Sequence, residues 1–237
     1  MKYVASFLLL LLSVHYACGQ KFVKKAMLLP HITSIQIDAQ QFSEVELTTA
    51  PGVELQLEAK MEGEYQRDIG IELTENGNTL TISGSFQPFF EAPNDKLSAH
   101  KVVAVTLLVR VPEDQIVGIY GTNTRVVAGG IFRDLEIVVS DGQCSLENPE
   151  GLIRVTTLSG DILLSAENGV VKANSKYGQV EKPELPFGKN QFTLESVRGK
   201  CGWRSFRQES AELLAFKYSC VNPLVSVHHG IDGKILP

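Results

Sequence analysis

The sequence has little of what most enzymes and membrane proteins require. It holds one Trp, three Met and four Cys in 237 residues, and beyond its N-terminus no stretch reaches the ~20 consecutive apolar residues of a membrane-spanning helix. The motifs GxSxG and HExxH, the P-loop and the dinucleotide-binding fingerprint are absent. Hydrolase and nucleotide chemistry therefore have no sequence support, and we predict a protein that is not an enzyme, has no cofactor and does not span a membrane.

The overall charge is mildly acidic. The formal net charge is −5 at pH 7, and no stripe of basic residues of the kind that binds phosphate backbones is present. The one basic cluster, KFVKK at residues 21–25, is interpreted as a solvated arm. We therefore predict no nucleic-acid partner.

The N-terminal residues MKYVASFLLLLLSVHYACGQ have the features of a secretory signal. One early lysine precedes an apolar core at Val4–Val14, and small residues lie before the cleavage point. We predict a signal peptide over residues 1–19 and a mature chain that begins at Gln20, in the periplasm, on the outer membrane or at the cell surface. The alternative is a lipoprotein anchored through Cys18.

A glycine recurs with a step of 18 residues at Gly142, Gly160 and Gly178, and Thr124 lies one step earlier. The same step aligns apolar positions that alternate with polar ones, as in strands that have one buried face. Four columns are formed: Val117, Leu135, Ile153 and Val171; Ile119, Ile137, Val155 and Ala173; Val126, Cys144, Ile162 and Val180; Ala128, Leu146 and Leu164.

This periodicity predicts an all-β fold with a β-solenoid, similar to a single-stranded β-helix or β-roll, built from ~18-residue coils over residues 112–185. Cys144 faces the core in this arrangement. Glu136 and Arg154 lie ~4.8 Å apart on adjacent coils, where opposite charges stabilise each other. The regular coil ends near residue 182, because Pro183 cannot donate a ladder hydrogen bond.

The regions on either side of the coils receive separate predictions. Residues 20–111 contain short alternating strands with turn signals, and we predict an antiparallel, β-sandwich-like N-terminal portion. Residues 186–237 are predicted to cap the open edge of the solenoid. In an oxidising compartment Cys201 and Cys220 are the candidate disulfide.

Three segments together resemble the bacterial putative auto-transporter adhesin family with a head GIN domain, and its relatives with SGD-type β-strand repeats. They are FSEVELTTAPGVELQLEAKM with IGIELTENGNTLTISGSF, then VTLLVRVPEDQIVGIYGTNTRVVAGG, then the SGDI coil. The resemblance covers residues 32–185. It implies an exported protein, of a kind common in Bacteroidetes-like bacteria, with a solenoid or sandwich-plus-solenoid fold and no recognised catalytic residues.

Exposed aromatic residues are the main binding signal. The segment FQPFFEAPND at Phe86–Asp95 places three Phe beside two Pro in a predicted loop, and loops that carry large apolar groups are common binding sites. The alternative is that this loop plugs one end of the core. The candidate binding residues are Phe86, Phe89, Phe90 and Tyr120.

From these features we predict a non-enzymatic, exported adhesin or cell-envelope binding protein. It is expected to engage a glycan or a surface protein through an extended β face. One alternative is a polysaccharide lyase or hydrolase that uses Arg125, Asp141 and Asp161, since such enzymes converge carboxylates on one sugar. Another is a periplasmic partner in envelope sensing. The pair His228 and His229 lacks further ligands at metal-binding spacing, so no metal site is predicted.

Overall fold

The computed structural model describes residues 20–28, 30–62, 69–86, 104–181 and 184–203. These residues form strands, turns and connecting segments without a helix. The strands are β1 (Gln20–Met27), β2 (Ser34–Asp38), β3 (Glu44–Ala50), β4 (Glu54–Glu62), β5 (Ile69–Asn76), β6 (Thr79–Phe86), β7 (Ala104–Pro112), β8 (Gln115–Gly121), β9 (Arg125–Val139), β10 (Cys144–Thr157), β11 (Ile162–Ser165), β12 (Val170–Ser175), β13 (Gln191–Ser196) and β14 (Cys201–Trp203).

The strands form two ladders of hydrogen-bonded neighbours, which meet in the long strands β9 and β10. The first ladder has the order β5, β6, β2, β8, C-terminal half of β9, C-terminal half of β10, β13, β12. The second has the order β1, β4, β7, β3, N-terminal half of β9, N-terminal half of β10, β11, β14. Every pairing is parallel except β1 with β4, β4 with β7, and β5 with β6.

The register of the central strands follows the 18-residue step. Leu135 pairs with Val117 on one side and with Ile153 on the other, and Cys144 pairs with Val126 and Ile162. These side chains are buried and belong to one apolar core. The predicted pairings and the inward orientation of Cys144 are therefore confirmed for β8, β9, β10 and β11.

The recurrent glycines lie directly against one another at the corner between the two ladders. A Cβ atom on Gly142 would overlap the carbonyl oxygen of Thr124, and one on Gly160 would overlap that of Gly142. Neither glycine has a positive φ, so space rather than backbone conformation requires the absence of a side chain. The glycine step in the sequence thus marks a column of close backbone contacts.

β13 lies between β10 and β12, and β14 lies between β11 and Val180, although the 18-residue repeat predicts that these flanking segments pair directly. Ile153 pairs with Phe192 rather than with Val171, and Phe192 in turn pairs with Val171. A Cβ on Gly199 would overlap the carbonyl oxygen of Gly160. Phe192 and Leu194 are fully buried, whereas Val171 and Ala173 are partly exposed, and each extra buried methylene contributes roughly 0.8 kcal/mol. The larger side chains therefore take the interior position.

This insertion bears on the predicted cap. Residues 191–203, which we expected to cover the open edge, form β13 and β14 inside the ladders, and β12 lies outside them. Val180 pairs with Cys201 rather than with Ile162. Residues 204–237 lie outside the described residues, so the remainder of the capping segment and the division into domains stay predictions.

The antiparallel N-terminal portion needs correction. β2 pairs in parallel with β6 and β8, and β3 pairs in parallel with β7 and β9. The cause is visible in the columns: Ile35 and Ile37 continue the inward positions of Val117 and Ile119, so β2 extends the same buried face. Among the described strands, antiparallel pairs are limited to β1 with β4, β4 with β7 and β5 with β6.

The described residues therefore have an all-β fold with one mixed sheet, and the solenoid stays a prediction. Among these residues, none lies in a helix long and apolar enough to cross a lipid bilayer.

The corner column makes a direct prediction for stability. Gly160→Ala should lower the free energy of unfolding by about 2–3 kcal/mol, because the new Cβ forces the backbone away from Gly142. The matched control is Gly70→Ala in β5, where the nearest atom lies 4.0 Å from the new Cβ. Urea unfolding measures both; equal midpoints would contradict the close stacking.

Candidate functional site

The outward side chains of the first ladder between β8 and β12 form a surface that we call the outer face. Five strands contribute, with neighbouring residues in register. Its members are Ile116, Gly118, Tyr120, Asp134, Glu136, Val138, Leu152, Arg154, Thr156, Gln191, Thr193, Glu195, Val170, Lys172 and Asn174. The face combines large apolar groups with charges of both signs.

Tyr120 lies along the outer face rather than pointing away from it. A Cβ on Gly118 would be 2.8 Å from Cε2 of Tyr120 and 2.9 Å from its hydroxyl oxygen, so the ring covers that glycine. The phenol donates a hydrogen bond of 2.8 Å to Oε2 of Glu136. Partial burial, and then this carboxylate, raise the pKa of Tyr120. The phenol therefore stays a donor at neutral pH.

Arg154 lies between the carboxylates of two residues on β9. Its Nη2 is 3.1 Å from both carboxylate oxygens of Asp134, and its Nε is 3.8 Å from Oε1 of Glu136. The predicted Glu136–Arg154 pair is confirmed, although Asp134 makes the closer contact. All three side chains keep solvent access, so these pairs position the groups more than they stabilise the fold.

Large aliphatic side chains flank this charged group. Ile116, Val138, Leu152 and Val170 are between 37% and 42% exposed. Ile116, Leu152 and Val170 lie in one row across the sheet, and Asp134 and Gln191 lie in the same row on the strands between them. Apolar and hydrogen-bonding groups therefore alternate along the row, at intervals of one strand spacing, ~4.8 Å.

A groove of about 280 Å³ adjoins the outer face at the corner opposite the glycine column. Ile131 and Leu152 provide its exposed apolar wall. Arg133 donates a hydrogen bond of 2.8 Å to Oδ2 of Asp114, and this contact lowers the pKa of that carboxyl group. The groove also carries Lys189 and Glu150, so it too combines apolar and charged groups.

The predicted aromatic loop is largely outside the described residues. Phe89 and Phe90 lie there, and Phe86 is described only through its backbone, which pairs with Ile69. Of the four predicted binding residues, only Tyr120 is therefore placed with its side chain. It lies on the outer face, in the candidate site.

The three residues of the predicted lyase or hydrolase site have partners within the fold. Asp161 Oδ1 accepts a hydrogen bond of 2.7 Å from the backbone N–H of Lys200. Asp141 accepts one from the hydroxyl of Ser159. Arg125 Nε lies 3.6 Å from Oε1 of Glu44. The structure uses these groups to hold neighbouring strands and turns together.

The cysteines are placed in the core. Cys144 and Cys201 carry free thiols and are buried. Ile162 lies between them in the ladder, so their Cα atoms are about two strand spacings of ~4.8 Å apart, beyond the ~7 Å limit for a disulfide. Cys220 lies outside the described residues, and the Cys201–Cys220 disulfide stays a prediction.

No cluster of three or more potential metal ligands occurs among the described residues. In the same part of the chain, every fully buried side-chain nitrogen or oxygen has a hydrogen-bond partner. The described interior therefore holds no unpaired polar group aimed at a ligand, and the outer face and the adjoining groove are the candidate surfaces. His228, His229 and Asp232 lie outside the described residues.

Sequence reasoning missed a hydroxyl residue placed three positions before several corner glycines. Ser196 Oγ accepts the backbone N–H of Gly199 at 2.9 Å, and Ser175 Oγ accepts that of Gly178 at 3.0 Å. Thr157 Oγ1 lies 2.7 Å from the carbonyl oxygen of Gly160. The available signal was a Ser or Thr three residues before a Gly. This spacing identifies the turns of the glycine corner, including the turn of Ser196 and Gly199 that lies outside the 18-residue step.

Comparison with known proteins supports the fold. No protein-family model and no curated protein sequence matches the chain. A structure described as a putative cell adhesion protein from Clostridium sporogenes is 12% identical over 78% of this chain and 100% of its own, with a TM-score of 0.51. This likeness establishes a shared fold.

Two further solved structures are similar at lower scores. One, a putative adhesin from Bacteroides fragilis, is 11% identical over 80% of this chain and 98% of its own, with a TM-score of 0.27. The other, a putative adhesin from Parabacteroides distasonis, is 13% identical over 78% of this chain and 98% of its own, with a TM-score of 0.28.

The role assigned to Asp161 is testable through stability. Asp161→Ala should lower the free energy of unfolding by about 1 kcal/mol, because the N–H of Lys200 loses its acceptor. Glu195→Ala, which removes an exposed carboxylate on β13, is the matched control and should change little. Chemical denaturation measures both, and an unchanged Asp161→Ala midpoint would contradict the structural role.

The buried thiols make a second prediction. Burial raises the pKa of Cys144 to about 12, so the thiolate that reacts with iodoacetamide is almost absent at pH 8. We expect Cys144 to stay unlabelled in the native protein and to react in denaturant, as measured by peptide mass spectrometry. Rapid native labelling would contradict its placement in the core. Labelling of Cys201 in denaturant only after reduction would establish the predicted disulfide.

Proposed function

We propose that this protein is an exported, non-enzymatic binding protein of the adhesin type, and that its outer face binds a glycan. The observation that carries the proposal is the position of Tyr120, whose Cε2, Cζ and hydroxyl lie over Gly118 and whose phenol donates a hydrogen bond to Glu136. The residue is 38% exposed, so part of its surface remains available for the apolar C–H groups of a sugar ring.

The surroundings of Tyr120 supply the other groups that a sugar requires. Arg154, Asp134 and Glu136 offer donors and acceptors in fixed positions, and Val138 adds apolar surface beside the ring. Binding sites for small polar ligands commonly combine such apolar surface with a few oriented polar groups. An exposed patch of this composition on an otherwise polar sheet also favours an interaction site.

Several parts of this proposal rest on the sequence. The predicted signal peptide over residues 1–19 supports export, to the periplasm, the outer membrane or the cell surface. The resemblance to head GIN adhesins supports the binding role and the solenoid interpretation of the parallel ladders. The loop with Phe86, Phe89 and Phe90 is proposed as a second contact region for the same ligand.

The glycan is favoured over a protein partner because the polar groups of the outer face are already paired in register, as preorganised sites for hydroxyl groups require. The enzyme alternative has no comparable support, since Arg125, Asp141 and Asp161 hold neighbouring elements of the fold.

The test is a glycan array probed with the full chain and three variants. Tyr120→Ala should abolish or strongly reduce binding, because the stacking surface and the donor to Glu136 are lost together. Tyr177→Ala removes a tyrosine that is 71% exposed and is not a member of the outer face, and it is the matched control. The Phe89→Ala, Phe90→Ala double variant measures the contribution of the loop.

The outcomes separate the candidates. Binding that Tyr120→Ala removes and Tyr177→Ala retains would support the outer face as the glycan site. If only the Phe89→Ala, Phe90→Ala double variant lost binding, the glycan site would be assigned to the loop instead of the outer face. No binding by the parent chain to any glycan would contradict the glycan proposal and direct the search to an envelope protein, by co-purification.

A further inference from the structure

Two segments of the chain are built to occupy the same position beside β10 and β11. In the structure that position holds β13 and β14, whereas the 18-residue step of the sequence assigns it to β12 and Val180. The alternatives can be compared residue by residue: Ile153 faces Phe192 or Val171, Val155 faces Leu194 or Ala173, and Ile162 faces Cys201 or Val180.

The turn at the glycine corner is also present in both segments. Ser196 and Gly199 form a turn in which the hydroxyl accepts the glycine N–H at 2.9 Å, and Ser175 and Gly178 form the same turn at 3.0 Å. Gly199 lies against the carbonyl oxygen of Gly160, and Gly178 lies against that of Gly199. The turn of Ser175 and Gly178 therefore has the form needed to stack directly on Gly160 when β13 and β14 are absent.

The two arrangements differ in how well they fill the core. Phe192 and Leu194 are buried to within 2% of full burial, and they separate Val155 and Ile153 from the smaller residues of β12. Closure of β12 onto β10 would replace the two pairings made by β13 with one, and would lose part of this apolar contact. The inserted arrangement is thus the more stable one, and the closed arrangement would cover the core while β13 and β14 are elsewhere.

The connection to the inserted segment is long enough to reach another molecule. Residues 182–190 lie between β13 and Glu181, whose N–H donates to the carbonyl oxygen of Cys201, and they include two prolines in the sequence. Nine residues span up to ~30 Å when extended. Phe187 in this connection is 92% exposed. The described contacts of this connection include the hydrogen bond of 3.0 Å from Gly169 N–H to the carbonyl oxygen of Pro186 and the packing of Leu185 against the core. Buried Asn190 also hydrogen-bonds to Gly151, Asn168 and Val170. An exchange would transfer the Asn190 contacts with β13 and would release those of Leu185 and Pro186.

We propose that the partner of this region is a second copy of the chain, and that Gln191–Trp203 of each copy inserts between β10–β11 and β12 of the other. The swapped dimer keeps every strand pairing of the monomer and needs no new surface. Its population rises with protein concentration, because two chains combine in one assembly. This inference is independent of the proposed glycan site, although a dimer would present two outer faces to one surface and increase avidity.

The test uses cysteines at outward positions on the two strands that the swap would exchange. Arg154 and Thr193 are Cα partners in parallel β10 and β13, at a separation of ~4.8 Å that a disulfide spans. Full chains with Arg154→Cys are mixed with full chains with Thr193→Cys, refolded together and oxidised. All chains carry Cys18→Ser and Cys220→Ser, so the native thiols left are the buried Cys144 and Cys201.

Two matched controls accompany the mixture. Val138 and Thr156 are Cα partners in β9 and β10, which stay in the same chain in the swapped dimer. Chains with Val138→Cys mixed with chains with Thr156→Cys should therefore give only background cross-linking. A single chain that carries both Arg154→Cys and Thr193→Cys should close an internal disulfide, which establishes that the pair has suitable geometry.

The expected result is a covalent heterodimer from the Arg154→Cys and Thr193→Cys mixture, well above the control mixture and increasing with protein concentration, as measured by non-reducing electrophoresis and intact mass. A heterodimer no more abundant than in the control at every concentration, with the internal disulfide formed in the double variant, would overturn the swap. Failure of the internal disulfide would overturn it too, since β13 would then not lie beside β10.

Discussion

The close approach of the backbone to itself at the glycine corner is the constraint on which the rest of this structure depends. The carbonyl oxygens of Thr124 and Gly142 occupy the space that side chains on the next glycines would need. This contact fixes the register of successive strands, and the register decides which side chains face the core, because a shift by one residue would exchange the two faces. Alternating apolar and polar residues in the sequence therefore form a buried apolar face and a regular outer face.

The order of strands at both ends of the ladders follows one rule: a later segment enters between two earlier ones. β6 and β7 lie between β2–β3 and β4–β5, and β13 and β14 lie between β10–β11 and β12. At the C-terminal end, the outermost strand β12 carries a smaller inward residue, Ala173, than its neighbour β13, where Leu194 fills the interior. The same arrangement leaves β12 able to replace β13.

The sequence was sufficient for those features that repeat locally. Gly142 and Gly160, the inward Cys144 and the pair of Glu136 with Arg154 all follow from one step of 18 residues. The binding role of Tyr120 stays a prediction. The insertion of β13 could not be found in this way, since Thr157 meets Ser196 across 39 residues and no period signals that contact. The parallel pairing of β2 was hidden for a similar reason, because alternation identifies a buried face without specifying which strand lies beside it. The flanking aliphatic residues of the outer face are far apart in the sequence and form one patch only through the alignment of five strands.

Side-chain contacts of Phe192 in solution test the central claim most directly, because this residue lies at the point where the sequence repeat and the structure disagree. Nuclear Overhauser effects from the Phe192 ring to the methyl groups of both Ile153 and Val171 are expected, since Phe192 pairs with each of them. Strong direct contacts between Ile153 and Val171, with the Phe192 ring distant from both, would contradict the inserted strand order and the register derived from it.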